Sequence, residues 1–150
     1  IGFSNLYGID LNEEISKMPH QSEINYQEQD FMKTSFDDHS FQAITSVSVI
    51  EHGFDSKKMF SEMSRLLKLN GYLMVSFDFW PKKIDTSNIK LFGMEWNIFS
   101  KDEVLLLIKD ASEYNLFPIK KMNFQIGKKA ISHVGFDYTF GLIIFKKDVK

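Results

Sequence analysis

Asp10, Asp30 and the pair Glu51-His52 are polar residues placed where chemistry is readily built, each directly after a run that reads as a strand. An ionised aspartate is an acceptor-only group that can serve two donors at once. Asp10 could equally cap a strand-to-helix turn, and Asp30 could equally be a solvated turn residue. His52 has the side chain whose ordinary pKa suits a general base near neutral pH. A lone histidine at a strand end also serves structure alone, so both readings stay open. Glu51 reads as a structural or loop-anchoring carboxylate. Two candidate ligands without partners do not make a metal site, so none is expected.

Trp96, with Phe92 and Phe99, falls in an irregular stretch over 81–99, and Trp80 directly precedes it. Two tryptophans there suit a lid over a partly wet pocket, or an aromatic patch covering a sheet edge. His20, His39 and His133 read as turn and surface-loop residues.

Alternating strand and helix signals position these groups and predict an α/β chain. Leu6 to Ile9 is a short apolar strand. Asn12 caps a brief helix with Glu13 and Glu14 in its first turn, and Pro19 ends it. Ile24 to Gln29 is a polar strand suited to a sheet edge. The β-branched run from Ala43 to Ile50 fits a buried parallel strand. Asp55 or Ser56 caps a helix whose Met59, Phe60, Met63, Leu66 and Leu67 recur at helical spacing, with Asn70-Gly71 as its left-handed stop. Tyr72 to Phe77 is the next strand. Ser100 and Glu103 form a capping box for a helix reaching about Tyr114. Phe117 to Phe124 and Tyr138 to Lys146 read as two last strands, paired antiparallel.

The bulk numbers narrow the function classes. The 150 residues are enough for one domain over 1–150 with a sizeable core, and 43% are hydrophobic. A formal net charge of -2 gives no electrostatic case for nucleic acid or an anionic membrane, and the lysine pairs, Lys128-Lys129 among them, read as solvated strand or loop ends. Without cysteine there is no disulfide, thiolate or cysteine-zinc chemistry. No apolar run has the length of a membrane span, and a cytoplasmic protein is the expectation.

Several strings taken in order resemble the class I (Rossmann-like) S-adenosylmethionine-dependent methyltransferases. Tyr7-Gly8-Ile9-Asp10-Leu11 is similar to that family's second strand, whose terminal acid accepts both ribose hydroxyls of the cofactor. Gln29-Asp30-Phe31 is similar to the segment after the third strand, where the Asp meets the adenine amino group and the next residue offers backbone to the ring. Phe41 to His52 resembles the fourth strand, with backbone at Ser46 and Val47 toward the methionine end of the cofactor. Phe60-Ser61-Glu62-Met63-Ser64-Arg65-Leu66-Leu67-Lys68-Leu69-Asn70-Gly71-Tyr72-Leu73 is the most diagnostic stretch, with Leu69 and Asn70 where the family carries proline and glycine.

The resemblance implies a mostly parallel sheet with helices on both faces and an antiparallel last strand. It implies methyl transfer from S-adenosylmethionine to an oxygen, nitrogen or carbon of a small molecule, leaving S-adenosylhomocysteine. Asp10, Leu11, Asp30, Phe31, Ser46 and Val47 would bind the cofactor, and His52 is the candidate base. The family's first strand and glycine-rich turn find no counterpart before Leu6; Ile1 to Asn5 reads as the tail of the loop that would follow them. That strand would lie between the second and fourth, so the two halves are expected to close on each other, or a second copy to fill the gap. Three readings follow: part of an active methyltransferase, a methyltransferase-like binding or assembly module without activity, and a nicotinamide enzyme, which would want a glycine fingerprint before Asp10.

Overall fold

The structure is a computed structural model that describes residues 4–126 and 131–149. The readings placed on residues 1–3 and on Lys128-Lys129 lie outside the described residues. Strand β1 (Leu6–Asp10) leads through a 3₁₀ turn, Glu13–Lys17, into β2 (Ile24–Glu28), which pairs parallel with β1. Asn12 caps the turn by accepting the Glu14 amide at 3.0 Å, as its side chain predicts.

Strand β3 (Phe41–Val47) precedes a second 3₁₀ turn, Ile50–His52, and helix α1 (Ser56–Leu66). The strand is shorter than its β-branched sequence suggests. Ser48 takes a left-handed φ of 51° and its amide turns to the Ser76 carbonyl, which lifts Val49 to His52 out of the sheet. Asp55 caps α1, accepting the amides of Lys57 and Lys58 at 3.0 Å.

Helix α1 ends at Leu66 rather than at Asn70-Gly71, and β4 (Leu67–Phe79) begins at once. The Leu67 carbonyl, freed from the helix, accepts Lys147 Nζ at 2.9 Å and lies 3.0 Å from His39 Nδ1. Asn70 does adopt the left-handed conformation, φ 64°, but inside a bulge of the β3–β4 pairing. The small pair β5 (Lys90–Leu91) and β6 (Met94–Glu95) interrupts the irregular segment. Helix α2 (Lys101–Glu113) opens on the expected Ser100–Glu103 capping box. β7 (Leu116–Pro118) is far shorter than Phe117 to Phe124; past Pro118 the Ile119 amide still bonds the Ile144 carbonyl at 3.0 Å before the chain leaves the sheet. β8 (Ile131–His133) and β9 (Phe136–Lys147) complete the chain. His133 is thus an exposed strand residue, and not in a loop.

The larger sheet runs β3-β4-β9-β7, with β8 added along β9. β3 and β4 are parallel, whereas β9 is antiparallel to β4 and to β7. Among the described residues no strand is hydrogen-bonded between β1 and β3, so β1-β2 forms a separate two-stranded sheet. Aromatic side chains bridge the two: Tyr7 lies edge-on to Phe36 at 5.2 Å and to Phe41 at 5.7 Å.

Alternation along β4 sets the core. Leu73, Val75 and Phe77 are fully buried against Met59, Phe60, Met63 and Leu66 of α1 and Val104 and Leu107 of α2. Both described α-helices therefore cover this face, and on β9 the alternate residues Phe140 and Leu142 are exposed. Gly141 must be glycine, since a Cβ there would sit 2.4 Å from the Phe77 ring. A second, smaller core of Trp96, Ile98 and Tyr138 gathers Trp80 and Phe136 around it.

Candidate active site

The residues expected to bind cofactor each sit at or just beyond the carboxyl end of a strand. Asp10 closes β1, exposed, with Oδ1 accepting the Asn12 amide at 2.8 Å and Oδ2 without a partner among the described residues. It therefore acts as a local cap and still keeps an acceptor open. Leu11 beside it is 65% exposed. The Asp10 carbonyl accepts the Gln29 amide at 2.9 Å, which ties the ends of β1 and β2 together.

Asp30 follows β2 and accepts the Met32 amide at 2.8 Å in a tight turn. Phe31 and Met32 pack on the main core, and Met32 Sδ accepts the Asp55 amide at 3.3 Å. This turn is thereby held against the cap of α1, three residues after His52. Val47 ends β3 and is 70% exposed, while the Ser46 hydroxyl is buried with no hydrogen-bond partner. The contacts thus link Asp10 to Asp30 and Asp30 to the turn after β3. Asp10, Asp30, Ser46 and Val47 line neither the two cavities of about 440 Å³ nor the one of about 390 Å³.

His52 is half-buried, its Nδ1 has no partner, and its ring lies 6.1 Å from that of Phe92. Glu51 turns inward instead, 2% exposed, and so is more deeply placed than a loop anchor. Two backbone bonds fasten the aromatic segment over it: Asn97 N–H to the Glu51 carbonyl at 2.8 Å, and Phe99 N–H to the Asp78 carbonyl at 2.8 Å. Trp96 directly precedes the first of those bonds. Its indole N–H donates to Asp78 Oδ2 at 2.8 Å, and its ring meets Tyr138 edge-on at 5.6 Å.

Burial dominates the electrostatics of this pair of acids. It pushes the Glu51 carboxyl up to about 7; a bond to the residue's own amide opposes the rise, and the Asp78 charge adds to it. Burial raises Asp78 as well, against the Trp96 bond and the nearby His52 and His133. Burial and these two carboxylates raise Tyr138.

Asp78 is the residue that sequence reasoning passed over. Its signal is visible: an acid between Phe77 and Phe79 in an otherwise apolar strand, on the face opposite theirs. The two tryptophans do not form one lid, because Trp96 is an interior residue, 3% exposed, and Trp80 only flanks its cluster.

Comparison with known proteins agrees with this fold. Residues 1–75 match the profile of a family described as a methyltransferase domain. Demethylmenaquinone methyltransferase of Bacteroides fragilis is 31% identical over 143 residues, covering 87% of this chain and 56% of that protein. The chain thus spans about half the length of the curated relatives it matches. Among solved structures, the YcgJ protein of Bacillus subtilis superposes with a TM-score of 0.72 at 17% identity, covering 98% of this chain and 84% of that one. Geranyl diphosphate C-methyltransferase of Streptomyces coelicolor, solved with S-adenosyl-L-homocysteine, gives 0.69 at 17% identity over 96% of this chain and 64% of its own. These two likenesses carry the fold, and the family match carries the assignment: the chain belongs to the class I S-adenosylmethionine-dependent methyltransferases.

Proposed function

We propose that the protein transfers the methyl group of S-adenosylmethionine to a small-molecule acceptor, with 1–150 acting as one methyltransferase domain. The observation that carries this is the open carboxylate oxygen of Asp10 at the end of β1. It can accept a ribose hydroxyl, as an ionised acid bonding a diol requires. Asp30, held by its own turn, is the acceptor for the adenine amine, with the Phe31 backbone beside it and Leu11 lining the ribose side. Backbone at Ser46 and at the exposed strand end, Val47, offers polar contacts to the methionine end. The cofactor supplies an electrophilic methyl group on a charged sulfonium. The chain's part is to align the acceptor and exclude water. His52, half-buried at the turn after β3, is the base in this reading.

Equilibrium dialysis against labelled S-adenosylmethionine and labelled NAD tests the reading. Retention of the sulfonium compound alone is expected. Retention of NAD alone would move the protein to the nicotinamide enzymes, and retention of neither would favour the inactive binding module.

A further inference from the structure

The side chain of Glu51 is buried, yet its Oε2 finds no donor among the described residues. Residue Glu51 lines a cavity of about 390 Å³ whose wall also carries Asp85, Thr86, Glu95, Trp96 and Phe99. That volume suits a small organic ligand. With Glu51, three of these residues are acids. The ammonium on the wall, Lys83, is engaged by Asn97 Oδ1 at 2.5 Å and by Glu103 Oε1 at 2.8 Å.

The groups near Glu51 do not supply a bonded cation. Asp78 of β4 and Tyr138 of β9 are acidic partners, and Asp78 is bonded to the neutral indole of Trp96. His52 on the same turn and His133 of β8 bear on Asp78, and neither is hydrogen-bonded to Glu51. The Glu51 carboxyl takes bonds from its own amide and from the Ser48 side chain, but its Oε2 has no partner among the described residues. A buried acid without a countercharge is costly, a cost that holding a proton relieves only in part.

Different ligands would answer this differently. An anion would meet three acids. A neutral hydroxyl brings a donor and leaves the charge. A divalent metal needs several clustered ligands, and no group of three His, Cys, Asp or Glu able to hold one occurs among the described residues. An ammonium brings both donor and charge, and the Trp96 and Phe99 rings receive its carbon body.

We propose that this cavity binds a protonated amine, with the Glu51 carboxylate accepting its N–H. The proposal rests on the methyl-transfer reading for its role, naming an amine as the acceptor class. The ammonium would give a proton to the Glu51 carboxylate, and the freed nitrogen lone pair would take the methyl group as its bond to sulfur breaks. The binding itself needs no cofactor. The raised pKa of Glu51 then makes binding displace a proton. Below about pH 7 the affinity rises roughly tenfold per pH unit as the competing proton is removed.

Calorimetry on the unmodified chain tests this with benzylammonium chloride, benzyl alcohol, hydroquinone, sodium benzoate and magnesium chloride, at pH 6 and pH 8. Saturable heat from benzylammonium alone is expected. At pH 6, runs in two buffers of different ionisation heat should show close to one proton released per amine. Glu51→Gln, checked for folding by circular dichroism, should weaken the amine at least tenfold. Preference for hydroquinone, benzyl alcohol, benzoate or magnesium overturns the proposal, as does unchanged affinity in Glu51→Gln or no saturable heat. Amine binding in a chain that fails to retain S-adenosylmethionine would sustain this site and remove the methyl-transfer reading.

Discussion

The Trp96 indole N–H donates to Asp78 Oδ2 at 2.8 Å, and both side chains are buried. This bond joins the irregular segment after β4 to β4 itself, beside the carboxyl of Glu51. A carboxylate inside a protein keeps its charge only where donors reach it. Trp96 is the side chain that reaches Asp78.

Trp96→Phe should therefore cost about 2–3 kcal/mol at pH 8, combining a lost packing edge with a carboxylate left without its donor. The cost should shrink in acid, where a protonated Asp78 no longer carries the charge. Urea unfolding at pH 8 and pH 4 checks this, and equal losses at both values would assign the whole effect to packing.

Glu51→Gln should stabilise the protein above neutrality. The folded pKa is raised, so between about 4.5 and about 7 the folded chain binds more protons than the unfolded one. Stability contributed by this group then falls as pH rises through that window, by about 3 kcal/mol in all. The variant should match the parent near pH 4.5 and exceed it at pH 8, read as the midpoint of denaturant unfolding.

Glu62 behaves in the opposite sense. Burial works against its charge, but Arg65 and Thr34 outweigh burial and hold the carboxyl below its usual range. Arg65 Nη2 reaches Glu62 Oε1 at 2.7 Å, and Nη1 reaches the Phe36 carbonyl at 2.7 Å and Asp38 at 2.6 Å. The stability from Glu62 is present above its ordinary pKa and is lost on acidification. Glu62→Gln should cost about 1–3 kcal/mol at pH 7 and much less at pH 3. Hydrogen exchange should show the loss concentrated over 34–38, which the Arg65 network pins to α1.

Much of the fold was legible because its signals are local. Asn12, Asp55 and the Ser100–Glu103 box cap as their side chains dictate, and the alternation from Leu73 to Phe77 marks the buried face. Three features were not legible because tertiary partners decide them. The end of α1 is set by Lys147, a distant residue that claims the Leu67 carbonyl. The turn at Ser48 is stabilised by Ser76 on the next strand. The inward position of Glu51 depends on Asn97 and Trp96, almost fifty residues away. Asp10 and Asp30 could be singled out as candidates because a strand followed by an acid is a contiguous string. Asp78 was missed because its meaning lies in Trp96 and Tyr138, which no spacing rule connects to it.

The most direct test of the account is a calorimetric titration of S-adenosylhomocysteine into the chain and into Asp10→Ala. The account predicts saturable heat with the parent and its loss in the variant, whose unfolding midpoint should stay close to the parent's because Asp10 is exposed. Equal binding by both proteins would contradict the role given to Asp10, and no heat from either would contradict the cofactor site itself.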